Sequence, residues 1–359
     1  MNVQEAKSFL LGKTASAVRA AYPAPRMTQL FLEVTSRCNM RCAHCGSSCT
    51  GTGSELSLDQ IRQVLQEFCN DAEYSRQKPF VILTGGEPMM RSDLKQIAEL
   101  LHEMQFHWGM TTNGTLITEE NAHWLSAFGL ASVAISLDGP PEYHDRFRGQ
   151  TGAYDAAMRG LQCLIQENDH ICKSITTVVT RQNLPFLSTM YHMWCDLSID
   201  NWRLLGVEPI GRALDHPEMM LQPEEYRQLM QFIQEKRFAN QPVEYSCPHY
   251  LGFEFEGEVR DWFFHCLAGI EVCSVMSDGS IGACLDIERT AETIQGNICQ
   301  DALLDVWRNR FEVFRQDLSD HTEGCKSCPH ADACRGGSHH TYDHEKHEQR
   351  FCMKGVLFD

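Results

Sequence analysis

From residue 30 to about 236 the chain alternates short apolar, β-branched runs with longer amphipathic ones. That rhythm constrains the fold more than any other feature. The runs LFLEVT (30–35), FVILT (80–84), WGMTT (108–112), SVAISL (132–137), SITTVVT (174–180) and WRLLGV (202–207) read as buried parallel strands. Helical patterns lie between and after them, over 57–69, 92–105, 118–128, 153–167, 185–197 and 223–236. The first opens at Ser57 and sets Leu58, Ile61, Val64, Leu65 and Phe68 on one face. Strand-then-helix units in series predict a parallel sheet with right-handed crossovers. Six units fall short of the eight that close a barrel of this kind. The expected fold is therefore α/β, a partial (β/α)6 barrel with a wide mouth.

The rhythm stops near residue 237. Residues 238–265 read as a bridge in which FEFEGEVRDWFF (253–264) has a hairpin-like alternation, and residues 266–359 as a cysteine-rich second domain. Residues 1–29 form an N-terminal segment without the long apolar stretch of a secretion signal, and no run is long and apolar enough to span a membrane. The net charge of −17 argues against nucleic acid or an anionic membrane as a main partner. A cytoplasmic chain is expected. In that compartment 17 cysteines point to metal binding rather than to disulfides, and a hydrophobic fraction of 43% leaves the fold no need of covalent staples.

The tightest cysteine group follows the first strand. Cys38, Cys42 and Cys45 have the spacing CxxxCxxC, which sets three soft thiolate ligands on one loop at the carboxyl end of a strand, where α/β folds collect their chemistry. Three ligands leave a metal centre one open position. Cys49 lies close by but outside the pattern, and reads as a small buried residue.

CNMRCAHC resembles the cluster motif of the radical S-adenosylmethionine (SAM) superfamily. His44 stands where that motif often has an aromatic residue. TGGEP (84–88), TTNGT (111–115), ISLDGP (135–140) and HDRFRG (144–149) follow in the order that family uses, each at or just after a strand end. The resemblance covers residues 30 to about 210. It implies a 4Fe–4S cluster on Cys38, Cys42 and Cys45, with SAM chelating the iron left open. It further implies SAM contacts from His44, Gly85, Gly86, Glu87, Asn113, Ser136, Asp138 and Arg148. Gly85 and Gly86 would let backbone carbonyls approach the SAM amine, Glu87 would add charge there, and Arg148 would pair with the carboxylate. The implied chemistry is reductive cleavage of SAM to a 5′-deoxyadenosyl radical that abstracts hydrogen from the substrate.

The tail holds CLAGIEVCSVMSDGSIGAC (266–284), CKSCPHADAC (325–334) and FC (351–352). Alone, the second piece would read as a zinc knuckle. Behind such a barrel the layout resembles the SPASM domain, which carries up to two auxiliary 4Fe–4S clusters, with Gly279 and Cys284 matching its hairpin. By that resemblance Cys325, Cys328, Cys334 and Cys352 hold one auxiliary cluster, and Cys266, Cys273 and Cys284 give three ligands of the other. The fourth ligand is expected four residues after Cys334, where this chain has Ser338. Ser338, His339, His340 and Cys247 all stay open as its replacement, as does an unfilled iron.

Among the other cysteines, Cys69, Cys163 and Cys195 fall in helical runs and read as core. Asp286, next to the Cys284 hairpin, and Cys247, where the chain passes between domains, are the candidate catalytic side chains. By resemblance the substrate is a peptide or protein, with a small molecule such as a tetrapyrrole side chain or a sugar as the alternative. A flavodoxin- or ferredoxin-type donor would supply electrons. Residues 1–29 are too few for the winged-helix domain that grips a leader peptide in many such enzymes, so a leader would dock elsewhere or on a separate partner.

Overall fold

The computed structural model describes residues 13, 17, 24–47, 55–167 and 170–358. Cys49 lies outside them. The six expected strands form as β1 (Gln29–Thr35), β2 (Phe80–Gly85), β3 (Trp108–Thr112), β4 (Leu130–Ser136), β5 (Cys172–Val179) and β6 (Asn201–Gly206), each parallel to the next. The helices between them are α1 (Leu58–Asn70), α2 (Leu94–Glu103), α3 (Glu119–Ala127), α4 (Pro141–Arg148), α5 (Ala153–Glu167) and α6 (Leu187–Trp194), and α7 (Pro223–Phe238) follows β6.

Local chemistry explains their ends. Ser57 and Gln60 cap α1 reciprocally: the Gln60 amide donates to Ser57 Oγ at 3.2 Å, and the Ser57 amide to Gln60 Oε1 at 2.8 Å. The helix α4, missed in the sequence pattern, starts on Pro141 and stops at Gly149, which adopts φ +72°. Val64, Leu65 and Phe68 of α1, with their counterparts on the other helices, bury against Leu30, Leu32, Val81 and Leu83 in one continuous core.

One region differs from the sequence reading. The stretch 238–265 contributes a strand, β7 (Val243–Tyr245), parallel to β6. Its 253–264 run is no hairpin. It forms turns around buried Arg260, which donates to the carbonyls of Cys247 and His249 and pairs with Glu256 at 2.5 Å. The hairpin that opens the C-terminal part joins the barrel sheet. β8 (Val272–Val275) runs parallel to β1 with Leu30 opposite Cys273, and β9 (Ser280–Gly282) and β10 (Gly296–Asn297) extend it, giving a ten-stranded sheet in the order β10-β9-β8-β1-β2-β3-β4-β5-β6-β7. Buried Glu33 of β1 locks the joint. It accepts from the amide and hydroxyl of Ser277 at 2.9 and 3.1 Å and from Arg289 at 2.7 Å. The barrel stays open between β10 and β7, the two sheet edges. No helix among the described residues is long and apolar enough to cross a membrane.

Candidate metal centres and SAM site

The loop after β1 carries Cys38, Cys42 and Cys45 across the carboxyl ends of the strands. Cys42 is buried, and Cys38 and Cys45 are half-buried. Burial pushes the Cys38 thiol up to about 11, and the neighbouring thiols of Cys42 and Cys45 push the same way. Ligation to a metal would remove these protons. Burial also raises Cys42, but Arg148 opposes it, with Nη1 3.7 Å from the sulfur.

Three neighbours fix this loop. The amide of Gly86 donates to the Thr35 carbonyl and that of Glu87 to the Arg37 carbonyl, both at 2.8 Å. A Cβ on Gly85 would stand 2.2 Å from the Thr35 oxygen, and one on Gly86 would stand 2.2 Å from the Arg37 oxygen. The Gly-Gly pair is therefore required by the close approach of β2's end to the cluster loop, in addition to any contact with SAM. From the other side, Arg212 donates to the Cys42 carbonyl at 2.8 Å through Nε and to the Cys45 carbonyl at 3.0 Å through its amide.

The expected SAM residues gather at the same mouth, several of them with hydrogen-bond partners in the protein itself. Glu87 is buried and accepts from Thr112 Oγ1 at 2.6 Å and the Asn113 amide at 2.7 Å, which braces the end of β2 against β3, and from the Met89 amide at 3.1 Å within its own turn. Asn113 donates to Asn39 of the cluster loop at 2.8 Å. Ser136 ends β4, half-buried. Arg148 is committed to Asp138, Nε to Oδ2 at 2.6 Å, and is not a loose cation. Burial alone would raise Asp138, yet the Arg148 guanidinium holds it below the usual carboxylate range. His44 stacks on Phe147 at 4.4 Å between ring centres. Burial pulls its pKa down to about 3, so it is neutral, and its buried Nδ1 has no hydrogen-bond partner. An orphaned ring nitrogen beside three thiols and two close-packed glycines fits a bound nucleoside cofactor next to a cluster.

In the C-terminal part, Cys325, Cys328, Cys334 and Cys352 come together. Burial raises Cys334 well above its ordinary value, and the other three thiols add to the rise. That all-thiol set fits an iron–sulfur cluster. The second expected set does not complete itself. Cys273 is fully buried on β8, and Cys266 lines a crevice with Cys334, Gly337 and His339. Cys284 has Asp286 and His340 as its near donors, all three donor atoms lying within 4.8 Å of one another. Ser338 is buried, and its Oγ accepts from the His340 amide at 3.1 Å.

Of the two catalytic candidates, Asp286 reaches the mouth. Its Oδ1 lies 3.3 Å from where a Cβ on Gly46 would sit. The side chain is open on one side, but the surrounding protein pushes its pKa up, with His340 working against that rise. Cys247 is 1% exposed in the main core, with Sγ 3.4 Å from the Gly206 carbonyl, and offers no surface to a substrate. Cys195 is exposed, not core, because it follows the last turn of α6, whereas Cys69 and Cys163 pack partly against the core.

Glu208 went unnoticed in the sequence. It sits just past β6 with Oε2 3.6 Å from His340 Nδ1 and Oε1 2.8 Å from His249 Nε2, the latter pair out of hydrogen-bond alignment. Its position at the carboxyl end of a strand was the available signal.

The radical SAM superfamily model matches residues 32–187, and that of the iron–sulfur cluster-binding SPASM domain matches residues 266–329. The AdoMet-dependent heme synthase of Oleidesulfovibrio alaskensis is 28% identical over 337 residues, 87% of this chain and 83% of that one. Mycofactocin maturase MftC of Mycolicibacterium smegmatis is 31% identical over 336 residues, 88% of this chain and 81% of that one. The fold is shared with anSMEcpe bound to AdoMet and the Cp18Cys peptide (TM-score 0.70, 21% identity, 89% and 91% of the two chains). It is shared too with Streptococcus suis SuiB bound to the precursor peptide SuiA (TM-score 0.69, 15% identity, 91% and 75%). The order of the motifs, the open parallel sheet and the thiol groups at its mouth thus have one common explanation: the chain is a radical SAM superfamily enzyme with a C-terminal SPASM domain, taking SAM and iron–sulfur clusters as cofactors.

Proposed function

We propose that this enzyme abstracts hydrogen from a peptide or protein substrate and so carries out a post-translational modification. When bound, the Cys38/Cys42/Cys45 cluster and SAM supply the 5′-deoxyadenosyl radical. The protein's own part is placement. Arg148 keeps positive charge beside Cys42, and neutral His44, stacked on Phe147, offers an apolar face and an unused Nδ1. Asp286, across from Gly46, is positioned to take a proton released from the substrate after hydrogen abstraction. The observation that carries the substrate class is the 31% identity with a peptide maturase over most of both chains.

A second reading, a small molecule such as a tetrapyrrole side chain, is supported by the likeness to AdoMet-dependent heme synthases over 87% of the chain. One experiment separates the two. The anaerobic enzyme is incubated with SAM, dithionite and either candidate peptides or an iron porphyrin, and 5′-deoxyadenosine and product masses are followed by mass spectrometry. Substrate-dependent 5′-deoxyadenosine with a mass change on the peptide supports the first reading. The same result on the porphyrin alone overturns it. A one-electron donor of flavodoxin or ferredoxin type would replace dithionite in the cell, and a separate leader-binding partner belongs to the peptide reading.

A further inference from the structure

We propose that Cys284, Asp286 and His340 bind a single divalent cation, zinc being the reference ion, at the barrel mouth, in place of the second auxiliary iron–sulfur cluster. The three donor atoms lie within 4.8 Å of one another, and among the described residues no other group of three Cys, His, Asp or Glu donors is so compact. The cluster thiols of Cys38, Cys42 and Cys45, and those of Cys325, Cys328, Cys334 and Cys352, are spaced more widely. Ligands of one cubane sit on different irons and must stand apart, whereas ligands of one tetrahedral ion at bond lengths of roughly 2.0–2.3 Å must crowd together.

The donor chemistry agrees. A thiolate, a carboxylate and an imidazole suit zinc, while iron–sulfur clusters take thiolates first. The position at which a fourth cluster thiolate is expected is Ser338, whose hydroxyl accepts from the His340 amide and so helps fix the ligand loop. Behind the imidazole, Glu208 Oε2 stands 3.6 Å from His340 Nδ1, and its other oxygen stands 2.8 Å from His249 Nε2. A carboxylate behind a ligating histidine sets the ring's tautomer and orientation. Three protein ligands leave one coordination position for water or a substrate donor atom, and with zinc bound a hydroxide there, rather than the ligated Asp286 carboxylate, would take the proton from the substrate. Because Asp286 also borders Gly46, that position belongs to the same mouth as the SAM cluster loop.

The test uses the full chain, purified and reconstituted anaerobically with iron and sulfide, then exposed to zinc chloride and desalted. Metal content and zinc K-edge absorption fine structure are read. The expected result is one retained zinc per chain with a single sulfur and otherwise nitrogen or oxygen neighbours. Cys284→Ser, Asp286→Asn and His340→Gln should each lower retained zinc about tenfold or more with iron content unchanged. Asp286 is exposed, so its asparagine variant is the one least disturbing to folding, checked by circular dichroism. A wild-type chain that retains no zinc, an all-sulfur zinc shell, full retention in Asp286→Asn, or a loss of about four irons in Cys284→Ser would each overturn the proposal.

Discussion

Arg148 donates from Nε to Asp138 Oδ2 at 2.6 Å while its Nη1 reaches Cys42 Sγ at 3.7 Å, so one buried guanidinium joins the end of β4 to the cluster loop. The arrangement depends on Asp138, which also accepts from the Val178 amide at 2.9 Å. Asp138→Ala leaves Arg148 buried and uncompensated. The expected cost is about 3–5 kcal/mol of unfolding free energy, read from anaerobic urea melts. Iron at the Cys38/Cys42/Cys45 site should fall with it. A stability within 1 kcal/mol of wild type, about the value of an exposed pair, would show that the ion pair does not hold this loop.

Gly86 makes a steric prediction. A Cβ there meets the Arg37 carbonyl oxygen at 2.2 Å and its carbon at 2.5 Å, backbone atoms that cannot rotate away. Gly86→Ala should shift the cluster loop and abolish most SAM cleavage, read as 5′-deoxyadenosine with dithionite. Gly324→Ala is the control, since a Cβ there meets nothing within 4 Å. Equal activity in the two variants would remove the close-approach explanation of the Gly-Gly pair.

Glu87 separates bracing from cofactor contact. Its carboxylate accepts three hydrogen bonds, two of which tie the end of β2 to β3. Glu87→Gln turns one acceptor oxygen into a donor facing donors, at a cost of about 1–3 kcal/mol for the unsatisfied group. The midpoint of thermal unfolding should drop while the KM for SAM changes less than kcat. A rise in KM alone, with unchanged melting, would assign Glu87 to SAM binding instead.

How far these relationships could be read in the sequence depends on how many segments build them. β1 to β6 were legible because each is an uninterrupted apolar, β-branched run, and the CxxxCxxC loop because its donors share one segment. β7 was hidden by its brevity, Val243–Tyr245. The alternation over 253–264 looked strand-like, but Arg260 finds Glu256 one helical turn away and two carbonyls near it, and those contacts favour turns. The grouping of Cys284, Asp286, His340, Glu208 and His249 draws on four distant stretches, so no local pattern could announce it. Arg148 was legible as a charge near the site but not as the partner of Asp138, because that pairing needs α4 to fold back beside the end of β4.

His144 supplies the pH prediction. It is fully buried, and its Nδ1 accepts from the Asp138 amide at 3.1 Å, which places the ring proton on Nε2. Burial pulls its pKa down from 6.5 to about 4, against the opposing pull of the Asp138 carboxylate. An unfolded chain protonates this imidazole near 6.5, so between there and about 4 the unfolded state binds a proton that the native state refuses. Its contribution is therefore fully present above pH 6.5 and is lost as pH falls toward 4, by up to about 3 kcal/mol over the window. Buried His339 behaves alike, held down to about 3, so the wild-type slope is steep. His144→Gln keeps an acceptor for the Asp138 amide and removes the titration. Anaerobic urea melts between pH 7 and pH 5 should show a shallower fall for this variant, by close to one proton at the acid end. An unchanged slope would mean that His144 is already charged in the native state, and that Asp138 offsets the burial that should keep it neutral.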